Sequence, residues 1–118
     1  MAESYSIKFL KVVRTLERIA GQRGFVAPSF RCPPPSAKFQ RSLKKFDDGR
    51  VVISIVVRGR PWLAVLADII EGFVIANNSS EREPELRNLL WDSIASNDLQ
   101  IVEHELPTRR ADFVTSAA

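Results

Sequence analysis

A single cysteine, Cys32, and a single histidine, His104, stand in this chain of 118 residues. One thiol makes no internal disulfide framework. One thiol with one imidazole all but excludes a zinc site of those ligands built by one chain, and neither a metal nor a cofactor is expected. Long apolar runs are missing too, since residues 51–57 and 62–67 fall far short of the ~18 residues that a membrane span requires. Glu3 and Lys8 interrupt the amino terminus where a secretory signal would place its apolar stretch. There is no internal repeat and no low-complexity tract beyond Pro33-Pro34-Pro35. The glycines match no nucleotide-binding fingerprint, because Gly21-Gln22-Arg23-Gly24 and Arg58-Gly59-Arg60 have neither the dinucleotide nor the P-loop spacing. These absences predict a small, soluble, cytoplasmic protein that stays off the membrane.

What is present is ordinary globular composition, 45% apolar and 26% charged, in a length that suits one domain. The net charge of +3 hides an asymmetry: residues 1–60 carry +9 and residues 61–118 carry −6. Halves of opposite sign favour a basic surface that meets an anion, or two halves that neutralise each other within a domain or across a dimer.

Periodicity gives the elements. Tyr5, Phe9, Val12, Val13, Leu16, Ile19 and Ala20 fall within one third of a helical wheel, and Lys8, Lys11, Arg14 and Arg18 gather on another arc. The pattern predicts a helix over 5–20 that Gly21 ends. Basic and apolar stripes side by side suit either a membrane-surface helix or the solvated flank of a core helix, and the domain that follows favours the latter. Residues 21–38 are irregular, with Phe25, Val26 and Phe30 expected to pack down as a short edge strand or anchored loop. Residues 38–46 and 50–58 read as a hairpin about Asp47-Asp48-Gly49. The return strand is apolar on both faces, with Val51, Ile53, Ile55 and Val57 on one and Val52, Ser54 and Val56 on the other. It belongs in the middle of a sheet or at a subunit interface.

Pro61 suits the start of a helix over 62–78 whose wide apolar arc must be covered on two sides. Only Ala64, Asp68, Glu71, Ile75 and Asn78 share its remaining arc. Gly72 within it implies close packing. Ser80 and Glu83 have capping-box spacing ahead of a third helix with the stripe Leu86, Leu89, Leu90 and Ile94. Residues 99–106 alternate as a last strand that Pro107 stops. The fold class is thus α+β, a single domain over 1–107 in the order α-β-β-α-α-β, with an antiparallel sheet packed on a central apolar helix and a flexible tail over 108–118.

Candidate chemistry is thin. Cys32 lies in a proline-rich loop, and a reactive thiol needs a depressed pKa that sequence does not reveal. His104 has no nucleophile beside it. Asp68 and Glu71, three apart on one helix face, suit a divalent cation or acid–base work, or ion pairs with Arg58 and Arg60. Catalysis is therefore not favoured. Arg58-Gly59-Arg60-Pro61 resembles the core of the AT-hook, whose arginines lie along the minor groove of A·T-rich DNA; its other reading is a tight strand-to-helix turn. The predicted order of elements is similar to the type II KH fold of RNA-binding domains, although residues 77–80 read Asn-Asn-Ser-Ser where that family carries a GxxG loop.

The strongest functional pattern is the cluster Arg41, Lys44, Lys45, Arg50, Arg58 and Arg60 on the hairpin and its exit, with Phe39 and Phe46 interleaved. Alternation puts Lys44 on the opposite side from Arg41 and Lys45, so these cations form a rim around the strand edge and hairpin ends rather than one face. The expectation is a non-catalytic nucleic-acid-binding domain that tracks phosphates through this rim. The alternatives are a sheet edge defended by Lys and Arg against aggregation, and a homo-oligomer (dimer) or protein-binding module built on the apolar sheet and helix surfaces.

Overall fold

The computed structural model describes residues 2–34, 36–78 and 81–97. Within them three helices, α1 (Ala2–Gln22), α2 (Trp62–Asn77) and α3 (Glu83–Ser96), accompany three strands, β1 (Ser29–Arg31), β2 (Arg41–Lys45) and β3 (Val51–Ile55). The chain is α+β, but the order among the described residues is α-β-β-β-α-α. The expected strand over 99–106, the tail over 108–118, and with them His104, lie outside the described residues, as does Ser80.

The sheet is mixed, in the order β1-β3-β2. β2 and β3 form the antiparallel hairpin, with Leu43 opposite Ile53, while β1 runs parallel to β3, with Phe30 beside Ile53. This corrects the expected purely antiparallel sheet. Residues 21–38 supply a strand that lines up with β3 on its other edge, and residues 32–40 then carry the chain past the end of β3 to start β2. This extra parallel strand also departs from the order on which the likeness to the KH fold rested. Both hairpin strands are shorter than the sequence suggests, because the ladder gives way at Phe46 and Arg50 to the turn and beyond Ile55 to the exit. The turn itself sits as expected, with Gly49 at φ +93°, a conformation that glycine adopts without penalty.

β3 is central, as its two apolar faces require. Val51, Ile53, Ile55 and Val57 are buried. They meet α2, whose Trp62, Val65, Leu66, Ile69, Ile70 and Phe73 are also buried. Gly72 explains how closely helix and sheet approach: a Cβ there would lie 2.9 Å from the ring of Phe30 and 3.1 Å from Ile53. Phe30 joins the layers, with its ring 6.3 Å from that of Phe9 on α1 and 5.5 Å from that of Phe73 on α2. α3 closes the other flank through Leu86, Leu90 and Ile94. The wide apolar arc of α2 is therefore covered within one chain. Leu63 is the exception, being 59% exposed.

Other boundaries shift for local reasons. Gly21 is helical, and α1 runs on to Gln22; the reversal comes at Gly24, φ +83°, with the Phe25 amide donating to the Ala20 carbonyl at 2.9 Å. Pro61 stands just before α2, at φ −57° and ψ 134°, and its carbonyl accepts from Ala64 and Val65. α2 ends one residue early, since Asn78 takes the left-handed conformation at φ 46°. α3 begins after Arg82, whose side chain makes no cap hydrogen bond; the capping-box expectation involves Ser80 and so falls outside the described residues. Asn77 ties α2 to the preceding loop, accepting from the Val26 amide and donating to the Val26 carbonyl, each at 2.8 Å.

Candidate functional site

The strand register sorts the sheet's side chains into two faces. Toward the helices point Phe30, Val51, Ile53 and Ile55 and, from β2, Arg41, Leu43 and Lys45. The helical layer leaves β2 partly uncovered on this side, and Leu43 is 46% exposed there. The opposite face carries Ser29 and Arg31 from β1, Val52 and Ser54 from β3, and Ser42 and Lys44 from β2. None of these six is buried. Phe46 and Arg50 continue the same ladder toward the turn, the Phe46 amide donating to the Arg50 carbonyl at 2.8 Å. At its other end the Val56 amide donates to the Gln40 carbonyl at 2.9 Å.

On this open face Phe46 lies between two cations. The Lys44 Nζ is 5.1 Å from its ring centroid and the Arg50 Cζ is 4.6 Å away. Arg31 stands on the opposite edge strand in the rung of Ser54 and Ser42, roughly 10 Å from Ser42 at the usual strand spacing, and Lys44 lies one rung further along the same face. Small hydroxyl side chains (Ser29, Ser42 and Ser54) keep the middle low. In the turn, Asp48 accepts from both the backbone amide of Arg50 at 3.0 Å and its Nε at 2.9 Å. That amide first, and the guanidinium after it, hold the Asp48 carboxyl below its ordinary value.

The six sequence-selected cations divide four ways. Lys44 and Arg50 share the open face, while Arg41 and Lys45 lie on the helix side of β2. Arg58 follows β3 in an exposed turn and its side chain makes no ion pair with the described residues. Arg60 is used inside the fold. Its Nη2 donates to Asp68 Oδ2 at 2.8 Å, and its Nη1 donates to the carbonyls of Val56 at 2.9 Å and Gln40 at 3.2 Å. The Arg60 and Asp68 side chains are only 11% and 15% exposed. Arg41 reaches the other Asp68 oxygen at 3.3 Å. Arg58-Gly59-Arg60-Pro61 is the strand-to-helix turn, with Gly59 at φ +81° and the Arg60 amide on the Val57 carbonyl.

Asp68 and Glu71 diverge in use: Asp68 holds this turn, whereas Glu71 accepts from Arg87, which also binds Glu83 at 2.9 Å. Glu71 first and then Glu83 hold the Arg87 proton more tightly than usual. Among the described residues no group of three potential ligands suits a metal ion. The Cys32 thiol is pushed up by partial burial, against the Val57 amide that opposes the shift, so it favours the unreactive protonated form. No described helix is long and apolar enough to cross a membrane.

Arg31 and Lys38 are two cations at the sheet that the sequence did not single out. Each side chain is exposed and without an ion pair among the described residues. Arg31 escapes notice because only the parallel pairing of β1 brings it beside the hairpin. No family model, curated protein or solved structure matches this chain.

Proposed function

We propose that the protein is a non-catalytic nucleic-acid-binding domain whose contact surface is the open face of the sheet. The observation that carries this reading is the register that puts Arg31, Lys44, Phe46 and Arg50 on one face over a floor of serines. Cations on both edge strands flank a shallow trough, which suits a phosphate backbone lying along the strands. An aromatic ring among them gives a base something to stack on. Arg41, Lys45 and Arg60 drop out of the contact set, because the first two face the helix side and Arg60 is held by Asp68.

The test is binding of a short single-stranded oligonucleotide by fluorescence anisotropy at several salt concentrations. Phosphate contacts from Arg31, Lys44, Arg50 and Arg58 predict a slope of log affinity against log salt of about −3, at roughly −0.7 per contact on a single strand. A flat salt response rejects the reading.

A second reading, self-association, has one observation in its favour. β2 is an edge strand with Leu43 exposed, and its outer side has no partner strand among the described residues. Light scattering after size exclusion separates the two: a dimer that Leu43→Lys converts to monomer supports self-association, and a monomer at all concentrations rejects it.

A further inference from the structure

Beyond the last rung of the open face lies a surface depression of about 340 Å³, lined by Ala37, Lys38, Phe39, Gln40, Val56, Arg58 and Arg60. Its size is near the lower bound of roughly 300–1,000 Å³ for small-ligand sites. Of the phenylalanines among the described residues, Phe39 alone is exposed, at 40%. Lys38 and Arg58 bring two cations to the lining without an ion-pair partner among the described residues, and no carboxylate lines the depression. Arg60, fixed by Asp68 and two carbonyls, forms a rigid wall rather than a ligand. Gln40 uses its carbonyl on Val56 and Arg60, while its side-chain amide makes no hydrogen bond among the described residues.

A ring to stack on, cations beside it and an amide at hand match the parts of one nucleotide: a planar base, a phosphate and a base edge with donors and acceptors. We propose that this depression takes a single unstacked nucleotide, with its base on Phe39, its phosphate between Lys38 and Arg58, and the Gln40 amide on the base edge. The proposal deepens the reading of the open face as a nucleic-acid surface and rests on it for the path of the strand. Gln40 and Val56 are the rung after Ser42 and Ser54, so a strand lying along that face runs directly into the depression. A base held this way is unpaired, which makes single strands the preferred ligand over duplex.

The experiment follows backbone amide chemical shifts of the whole chain while uridine monophosphate, uridine or inorganic phosphate is added. The expected result is a saturable shift of amides 37–40 and 58–60 with the monophosphate, weaker with either part alone. Phe39→Ala, at an exposed position, should weaken monophosphate binding about tenfold, and Phe39→Tyr should retain it. No shift with the monophosphate, the same shifts with phosphate alone, or an unchanged affinity in Phe39→Ala would each overturn the proposal. Lys44→Glu separates the two readings. It should lower oligonucleotide affinity and leave monophosphate binding intact. If it lowers neither, the depression stands as a mononucleotide site and the open-face reading fails; salt-sensitive oligonucleotide binding without any monophosphate shift leaves the open face and removes the pocket.

Discussion

Arg58 and Arg60 sit two residues apart in one turn, yet the fold uses them differently. Arg60 holds Asp68 and two carbonyls in a nearly buried position, so Arg60→Ala leaves a carboxylate and carbonyls short of donors. The expected loss is about 2 kcal/mol, read as a lower midpoint in urea with unchanged slope. Arg58→Ala, at an exposed side chain without a partner among the described residues, should change stability by no more than about 0.5 kcal/mol. Asp48 gives a pH dependence. Its carboxyl is lowered in the folded chain, so its contribution is present above the ordinary carboxylate range and is lost as pH falls through the lowered value. Asp48→Asn should therefore flatten the acid limb of the stability profile in thermal melts taken across acid pH. That Arg60 would be consumed by Asp68 was one of the pairings open in the sequence. The choice between Arg58 and Arg60 needed the turn geometry at Gly59, which sets the direction of each side chain.

Gly72 tests how helix and sheet are joined. Alanine would gain about 1 kcal/mol of helix propensity. Its Cβ, 2.9 Å from the Phe30 ring, forces a shift that costs about 1–3 kcal/mol. The packing term outweighs propensity, so Gly72→Ala should lower the melting temperature, with net destabilisation of about 1 kcal/mol by chemical denaturation. A rise in stability would mean that α2 does not approach the sheet so closely. The helices and the hairpin were legible because each is written in a local period, 3.6 for Phe9, Val12 and Leu16 and 2 for Val51, Ile53 and Ile55. β1 was legible only as one of two options, a short edge strand or an anchored loop around Phe30; its parallel pairing was not, since three residues make no period and its partner is some twenty positions away. The misplaced helix stop has the same origin. Gly21 carries the right residue type for a stop, but the reversal at Gly24 decides where α1 ends.

Across the whole molecule, the charge asymmetry of the sequence does not resolve into one surface. The acidic half supplies Asp68 to neutralise Arg41 and Arg60. It also supplies Glu71, Glu83 and Glu85, which pair with Arg87 and Arg82 within the helical layer. Cations without an ion pair among the described residues include Lys11, Arg14 and Arg18 on α1, and at the sheet Arg31 and Lys44 on the open face, Lys38 and Arg58 at its end and Lys45 on the other side of β2. The two-sided apolar character of α2, which from sequence also suited a subunit interface, is accounted for by β3 on one flank and α3 on the other. The central claim is thus one of sidedness, that nucleic acid meets the open face and not the helix side of the hairpin.

Two charge-reversed pairs matched in number test it most directly. Arg31→Glu with Lys44→Glu alters the open face, and Arg41→Glu with Lys45→Glu alters the helix side; each is titrated with the same single-stranded oligonucleotide at one low salt concentration. The first pair should lose at least about tenfold in affinity and the second should stay within about threefold of the unchanged protein. Equal losses in both pairs, or a larger loss in the second, would contradict the account.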